Sequence, residues 1–368
     1  MLVDIIAGAR PNFMKIAPII EAIRQSSAQG GNLEYRLIHT GQHYDRNMSG
    51  SFFEELGIPD PDYNLEVGSG TQASQTAKIM ERYEALMSEH PSDLCMVVGD
   101  VNSTMACSIT AKKMNIPVAH VEGGIRSYDL TMPEEINRMV TDAIADLFYT
   151  TSHTANRILK QEGHSEDKII FVGNTMIDTL LKNQERLEKP GLWDEIGLEP
   201  KKYFVMTLHR PANVDEERKL QELMAEIIRN AAGYPIVFPV HPRTRKVLEG
   251  LHISAPNLHY VEPLGYLSFN YLVKHAFAVI TDSGGITEET TVMGVPCLTL
   301  RDNTERPETI DIGTNELIGT DPKNISPAMR QLFDGKWKKG AIPELWDGKT
   351  APRIVRHLEG WLSSLKGI

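Results

Sequence analysis

The chain predicts an α/β protein built on two parallel, doubly wound sheets, and three observations point there. Short apolar runs alternate with helix-period segments from end to end. The alternation restarts after a polar stretch, 187–202, that carries Pro190, Gly191, Gly197 and Pro200 and places a linker nearby. A length of 368 residues suits two domains, each with its own core. The expected domains are 1–172 and 173–352. A closing amphipathic stretch, Arg353 to Leu365, suits either of them.

In the first series, strands are expected at Leu2–Ala7, Tyr35–His39, Leu94–Val98, Pro117–Val121, Leu147–Thr150 and Ile169–Val172. Apolar residues at helical spacing fill the gaps, over Phe13–Gln25, Gln75–Ser88, Thr104–Met114 and Pro133–Ala145. Pro133 is a residue favoured in a helix's first turn. The second series places strands at Tyr203–Thr207, Ile236–Val240, His259–Val261, Phe277–Thr281 and Pro296–Leu300.

Composition narrows the function. A net charge of −11 argues against nucleic acid or a membrane surface as partner, so an anionic ligand needs a local cationic pocket. The three cysteines, Cys95, Cys107 and Cys297, lie in apolar segments without metal-like spacing and read as reduced and buried, in a cytoplasmic protein. Arg10, Pro11, Asn12 and Lys15 interrupt the apolar N-terminus, which argues against a signal peptide, and no run is long enough to span a bilayer.

Carboxylates mark the first domain. Val97-Val98-Gly99-Asp100 ends one strand, and His120-Val121-Glu122-Gly123-Gly124 ends the next. Met132-Pro133-Glu134-Glu135 then opens a helix. Asp100, Glu122 and Glu134 are thereby expected at one sheet edge, as groups for proton transfer. For any one glutamate, the bland reading is a salt bridge with Arg126 or Arg138. Gly8-Ala9-Arg10-Pro11-Asn12-Phe13-Met14-Lys15 follows the first strand and fits neither the dinucleotide nor the P-loop pattern. Arg10 and Lys15 read as anion ligands or as solvated cations.

The second domain has a phosphate-binding candidate in Thr281-Asp282-Ser283-Gly284-Gly285, where a tight turn meets a helix N-terminus. Ser283 adds a hydroxyl, Glu289 lies one turn in as a partner for ribose hydroxyls, and Arg306 follows the next strand. The alternative is a turn and a helix cap. His209 and His241-Pro242-Arg243, at strand ends, suggest a cationic rim.

Taken in order, GARPNFMKIAP, HTGQH, VGDVNST, HVEGGIRS, MPEEINR, GNTMIDTL, TLHRPANVD, TDSGGITEE and RDNTERPE resemble the non-hydrolysing UDP-N-acetylglucosamine 2-epimerases over nearly the whole chain. The resemblance implies a GT-B-like pair of Rossmann-like domains, with the active site in the cleft between them and the C-terminal helix, 353–368, packed back on the first. It implies catalytic roles for Asp100, Glu122, Glu134 and His209. It implies UDP-sugar contacts from Arg10, Lys15, Phe269, Ser283, Gly284, Gly285, Glu289 and Arg306. It also implies a homodimer, a role in polysaccharide biosynthesis, and neither cofactor nor metal.

The implied chemistry is elimination of UDP across C1–C2 of the sugar, giving 2-acetamidoglucal, then re-addition with a proton on the opposite face. Departing UDP needs charge stabilisation, and two-faced proton traffic needs more than one acid/base group. Three alternatives share the nucleotide site: an epimerase of UDP-2,3-diacetamido-glucuronic acid, a GT-B glycosyltransferase, and a non-catalytic nucleotide-sugar sensor. The chain departs from the family at Gln42–Arg46 and Val67–Gln72, where many members build a second, activating UDP-GlcNAc site. Activation by substrate is therefore not expected.

Overall fold

The computed structural model describes residues 1–41, 53–240, 245, 248, 250–251 and 253–366, without the side chains of Arg10, Pro211, Ala212 and Lys366. The chain forms two compact units, residues 1–182 with 344–368, and residues 183–343.

Unit 1 runs β1 (Leu2–Ala7), α1 (Arg10–Ala28), β2 (Glu34–His39), β3 (Tyr63–Asn64), α2 (Gln72–Glu89), β4 (Leu94–Val98), α3 (Asn102–Lys113), β5 (Val118–Val121), α4 (Pro133–Ile144), β6 (Leu147–Thr150), α5 (His153–Gln161), β7 (Ile169–Phe171) and α6 (Thr175–Asn183). Its seven strands pair in the order β3-β2-β1-β4-β5-β6-β7, in parallel throughout. β4, Leu-Cys-Met-Val-Val, is buried at every position, as a strand covered on both faces must be.

Unit 2 runs α7 (Leu192–Ile196), β8 (Phe204–Thr207), α8 (Pro211–Val214), α9 (Glu217–Asn230), β9 (Ile236–Pro239), β10 (Leu258–Val261), α10 (Tyr266–His275), β11 (Ala278–Thr281), α11 (Gly284–Met293), β12 (Cys297–Thr299), α12 (Pro307–Asp311), β13 (Asn315–Leu317) and α13 (Ile325–Phe333). Its six parallel strands pair in the order β10-β9-β8-β11-β12-β13. Alternate residues serve different cores. Phe204, Met206, Phe238 and Ile280 join one, while Tyr203, Val205, Val237 and Val279 join the other.

Both sheets place their first and fourth strands side by side with crossovers leading away in opposite directions, which opens a crevice at the carboxyl ends of those strands. In unit 1 these are β1 and β4; in unit 2 they are β8 and β11.

One expectation needs correcting. The first domain ends at 182 rather than 172, and the chain returns to it at 344 rather than 353. The reason is α6, which follows β7 but stays with unit 1. Thr179 Oγ1 donates to the Met14 carbonyl at 2.5 Å. Asp178 accepts from the backbone N–H groups of Thr350 and Ala351, at 3.1 and 2.7 Å, at the start of α14 (Thr350–Lys366). α14 packs beside α1, where Ser26 Oγ donates to Glu359 Oε1 at 2.6 Å. The unit boundary, between 182 and 183, falls just before the polar stretch 187–202. Within that stretch α7 buries Trp193 edge-on against Tyr203 and Tyr271.

Among the described residues no helix is long and apolar enough to cross a membrane. The three cysteines are buried and unpaired, and burial pushes the Cys297 thiol up to about 12.

Candidate active site

The crevice of unit 1 is built from three loops. Asn12 joins two of them: its Oδ1 accepts from Gly8 N and Ala9 N at 3.1 and 3.0 Å, and its Nδ2 donates to the Val98 carbonyl at 2.9 Å. The start of α1 is thereby tied to the end of β4. One turn on, Lys15 Nζ donates to Glu122 Oε2 at 2.6 Å. Glu122 follows β5 in the left-handed region, at φ 73°, where a side chain other than glycine is strained. A Cβ added to Gly99 would lie 3.3 Å from Lys15 Nζ and 3.9 Å from Glu122 Oε2, so a side chain there would crowd the pair.

Asp100 accepts from Arg138 Nη1 at 2.5 Å. Its carbonyl accepts from Asn137 Nδ2 at 2.8 Å, which ties the β4 end to α4. Arg138 thus pairs with Asp100, whereas Arg126 pairs with Asp142 and Glu162. The two glutamates that open α4 differ sharply. Glu135 is fully buried and accepts from Ser127 N at 3.0 Å, Tyr128 N at 2.8 Å and Arg138 Nε at 2.9 Å. Glu134 is half-buried and forms no hydrogen bond or ion pair with the described residues.

Beneath these carboxylates lies a buried charged network. His120 bonds through Nδ1 to Asp142 at 2.6 Å and through Nε2 to the Gly99 carbonyl at 2.8 Å. Asp142 also accepts from Gly124 N at 3.0 Å and Arg126 Nη1 at 2.6 Å. Burial alone would raise the Asp142 carboxyl, but His120, Arg126 and the Gly124 amide together hold it below the usual range. The network fixes the loops after β4 and β5 against each other.

In unit 2 the crevice presents donors. Asp282, fully buried after β11, accepts from His209 N at 3.0 Å, Arg210 N at 2.9 Å, Asn213 Nδ2 at 3.1 Å and His209 Nδ1 at 2.7 Å. Burial pushes its carboxyl up, yet the His209 ring and these N–H groups outweigh that and lower it. Ser283 N donates to Thr281 Oγ1 at 3.0 Å, and Gly284 and Gly285 open α11. First-turn N–H groups of a helix have no intrahelical acceptor and suit an anion.

Deeper along α11, Glu289 lies beside Tyr266 and Asn270, and burial pushes its carboxyl up to about 7. Arg306 is buried at the head of α12, with Nε 2.8 Å from Glu288 Oε1. A ligand oxygen must compete with that pairing. Phe269, on α10, packs in part against the core that holds Trp193.

The structure thus groups Lys15, Asp100, Glu122 and Glu134 around β4, β5 and the start of α4. It groups His209, Ser283, Gly284 and Gly285 at the ends of β8 and β11. The Arg10 side chain, Gln42–Arg46 and His241–Arg243 lie outside the described residues. Gln72, in the other departing segment, accepts from Asn102 Nδ2 at 2.6 Å. Asp282, Asn12 and Glu135 were missed from sequence although each stands inside a quoted motif. Their neighbours carry obvious functional groups, and only the fold shows what these three hold.

A sequence profile for the family described as UDP-N-acetylglucosamine 2-epimerase matches residues 25–359. The UDP-N-acetylglucosamine 2-epimerase of Methanocaldococcus jannaschii is 40% identical, over 97% of this chain and 99% of that one. The UDP-2,3-diacetamido-2,3-dideoxy-D-glucuronate 2-epimerase of Pseudomonas aeruginosa is also 40% identical, over 96% and 98%. The crystal structure of the M. jannaschii enzyme in complex with UDP-GlcNAc and UDP superposes with a TM-score of 0.86, covering 97% of this chain and 99% of that one. This chain belongs to the UDP-N-acetylglucosamine 2-epimerase family.

Proposed function

We propose that this protein interconverts UDP-N-acetylglucosamine and UDP-N-acetylmannosamine by inverting C2. The observation that carries the reading is the set of three carboxylates in unlike settings. Glu122 is paired with Lys15, Asp100 is paired with Arg138, and Glu134 forms no bond with the described residues. A C2–H that is not next to a carbonyl resists direct deprotonation. Anti elimination of UDP lowers that barrier, because the C1–O bond breaks as the C2 proton leaves to a base. The products are 2-acetamidoglucal and UDP. In the return step a proton reaches C2 from the other face while UDP oxygen re-forms the C1 bond. More than one acid/base group, placed to reach the two faces of C2, is what this sequence requires.

Unit 2 carries the nucleotide in this reading. The Ser283–Gly285 helix start takes the diphosphate, with His209 donating to the leaving oxygen and Glu289 accepting from ribose hydroxyls. Arg10, Lys15 and Arg306 add positive charge, and Phe269 flanks the base. No redox cofactor enters, since the C2 hydrogen leaves and returns as a proton. We also infer a cytoplasmic homodimer that feeds polysaccharide biosynthesis. The buried, unpaired cysteines support a reducing compartment.

A second substrate has one specific observation in its favour: the P. aeruginosa diacetamido-glucuronate epimerase shares the same 40% identity with this chain as the M. jannaschii enzyme. Incubation with each UDP-sugar alone, followed by chromatographic resolution of the C2 epimers, decides between them. The reading expects UDP-GlcNAc to yield UDP-ManNAc. Turnover of the diacetamido-glucuronic substrate alone would replace it. Reaction only when a sugar acceptor is added would point to a glycosyltransferase, and binding without any turnover to a sensor.

A further inference from the structure

We infer that Asp282 is the positioning residue for His209, deciding which ring nitrogen the histidine offers to a bound anion. The inference deepens the function proposed above, and only its kinetic readout rests on that reading.

The geometry lies within unit 2. Asp282 is fully buried and follows β11, whereas His209 follows β8, and these strands are neighbours in the sheet. The His209 side chain is 61% exposed, so packing does not hold the ring. Its contact to Asp282 does: Nδ1 lies 2.7 Å from Oδ1, shorter than the contacts Asp282 receives from His209 N, Arg210 N and Asn213 Nδ2. Among the described residues, nothing bonds Nε2.

The chemistry follows from these contacts. Asp282 is an acceptor to every one of its partners, and those partners hold it ionised. Nδ1 must therefore carry a proton and donate it. The neutral ring then presents a lone pair at Nε2, and the charged ring presents an N–H there. The form that donates to the leaving oxygen is the charged ring, through Nε2–H; Asp282 accepts its Nδ1–H and sets its direction, which an amide NH2 in that place does not do. The backbone N–H groups of His209 and Arg210 bind the same carboxylate, so the loop that carries the ring is fixed together with the ring. A carboxylate serving only the loop would need the three non-ring donors and no contact with an exposed imidazole.

Asp282→Asn separates the two roles. The amide keeps the volume and one acceptor for the backbone N–H groups, but it turns an NH2 toward Nδ1. The neutral ring must then move its proton to Nε2. The expected result is a turnover loss of ~100-fold or more, with KM for the UDP-sugar within about threefold. Nitrogen-15 NMR, recorded above the ring's titration, should show His209 changing from the Nδ1–H to the Nε2–H tautomer. In a His209→Asn background the added Asp282→Asn should cost no further turnover, because the two act as one unit. Asn213→Ala removes another donor from the same carboxylate. It should lower Tm while leaving turnover and tautomer unchanged.

Wild-type turnover in Asp282→Asn would overturn the inference, as would an equal loss in the His209→Asn background. The tautomer of the unaltered protein is a test that survives misfolding of any variant: a neutral Nε2–H ring there would also overturn it. If the wild type turns over no UDP-sugar, the proposed function fails, while the tautomer still decides the role of Asp282.

Discussion

The two units solve one geometric problem with opposite chemistry. Each sheet has its first and fourth strands adjacent, and each gathers candidate residues at the carboxyl ends of that pair and of the elements beside it. In unit 1 the crevice is lined by charged side chains, with Lys15 on Glu122 and Arg138 on Asp100. In unit 2 its own carboxylate, Asp282, is turned inward onto N–H groups and the histidine ring. What faces outward there is the start of α11 and His209 Nε2. Fold alone therefore does not set chemistry; what the carboxylates are paired with does. A sheet edge whose carboxylates pair with cationic side chains suits proton transfer, and one whose carboxylate is taken up by N–H groups, leaving other N–H groups free at a helix start, suits an anion.

The largest expected effect breaks the comparison on its catalytic side. Asp100→Asn, Glu122→Gln and Glu134→Gln should each lower turnover by at least ~100-fold with little change in UDP affinity, measured by steady-state kinetics and calorimetry. The neighbour of Glu134 sharpens the point. Glu135→Gln should instead destabilise the protein, by roughly 3–5 kcal/mol, because it removes the buried charge paired with Arg138 and replaces one of the two acceptor oxygens with a donor. Near-normal turnover in all three carboxylate variants would remove the contrast.

That pair also shows how far the sequence could be read. The motif Met132–Arg138 offers two adjacent glutamates, and only the fold separates the buried one from the half-buried one. Interior strands were legible: β1, β4 and β6 occupy the expected residues, because a strand covered on both faces is largely an apolar run, broken in β1 only by the buried Asp4. The edge strands β3 and β13 were not, since Tyr63–Asn64 and Asn315–Leu317 are short and largely polar. Trp193 sat in a stretch dominated by prolines, glycines and charge, and its burial depends on Tyr203, which opens the next strand run, and on Tyr271, which is distant in sequence. In the same way His39, read as part of a motif, is a turn-holder. Its Nδ1 accepts from Gly41 N at 2.7 Å, and burial pushes its pKa down to about 4.

A pH prediction probes the nucleotide side. Glu289 has its carboxyl raised to about 7 by burial, against an ordinary value near 4.5. Between these values the folded protein binds the proton that the unfolded chain has released. Stability from this group thus falls as pH rises through that window, and the full penalty is present above it. Glu289→Gln removes the titration. It should raise stability at pH 8 by on the order of 3 kcal/mol, with almost no gain at pH 4, as read from denaturant titrations. A gain that is the same at both pH values would show that burial of the charge is not the cause.

The smallest expected effect concerns the start of α11. Ser283→Ala should weaken UDP binding by about 10-fold, the scale of one hydrogen bond to a charged group, and should change turnover at saturation far less. Loss of turnover with unchanged UDP affinity would place Ser283 with the proton-transfer groups instead.

The division of labour is tested most directly by exchange at C2. The wild type is incubated in D2O with UDP-GlcNAc alone, with no acceptor, and the sugar protons are followed by NMR. The account predicts deuterium at C2 in both UDP-GlcNAc and UDP-ManNAc. The same exchange should be lost in Glu122→Gln, which should still bind UDP normally. Epimer formation with the C2 proton retained, or full exchange in the variants of all three carboxylates, would contradict it.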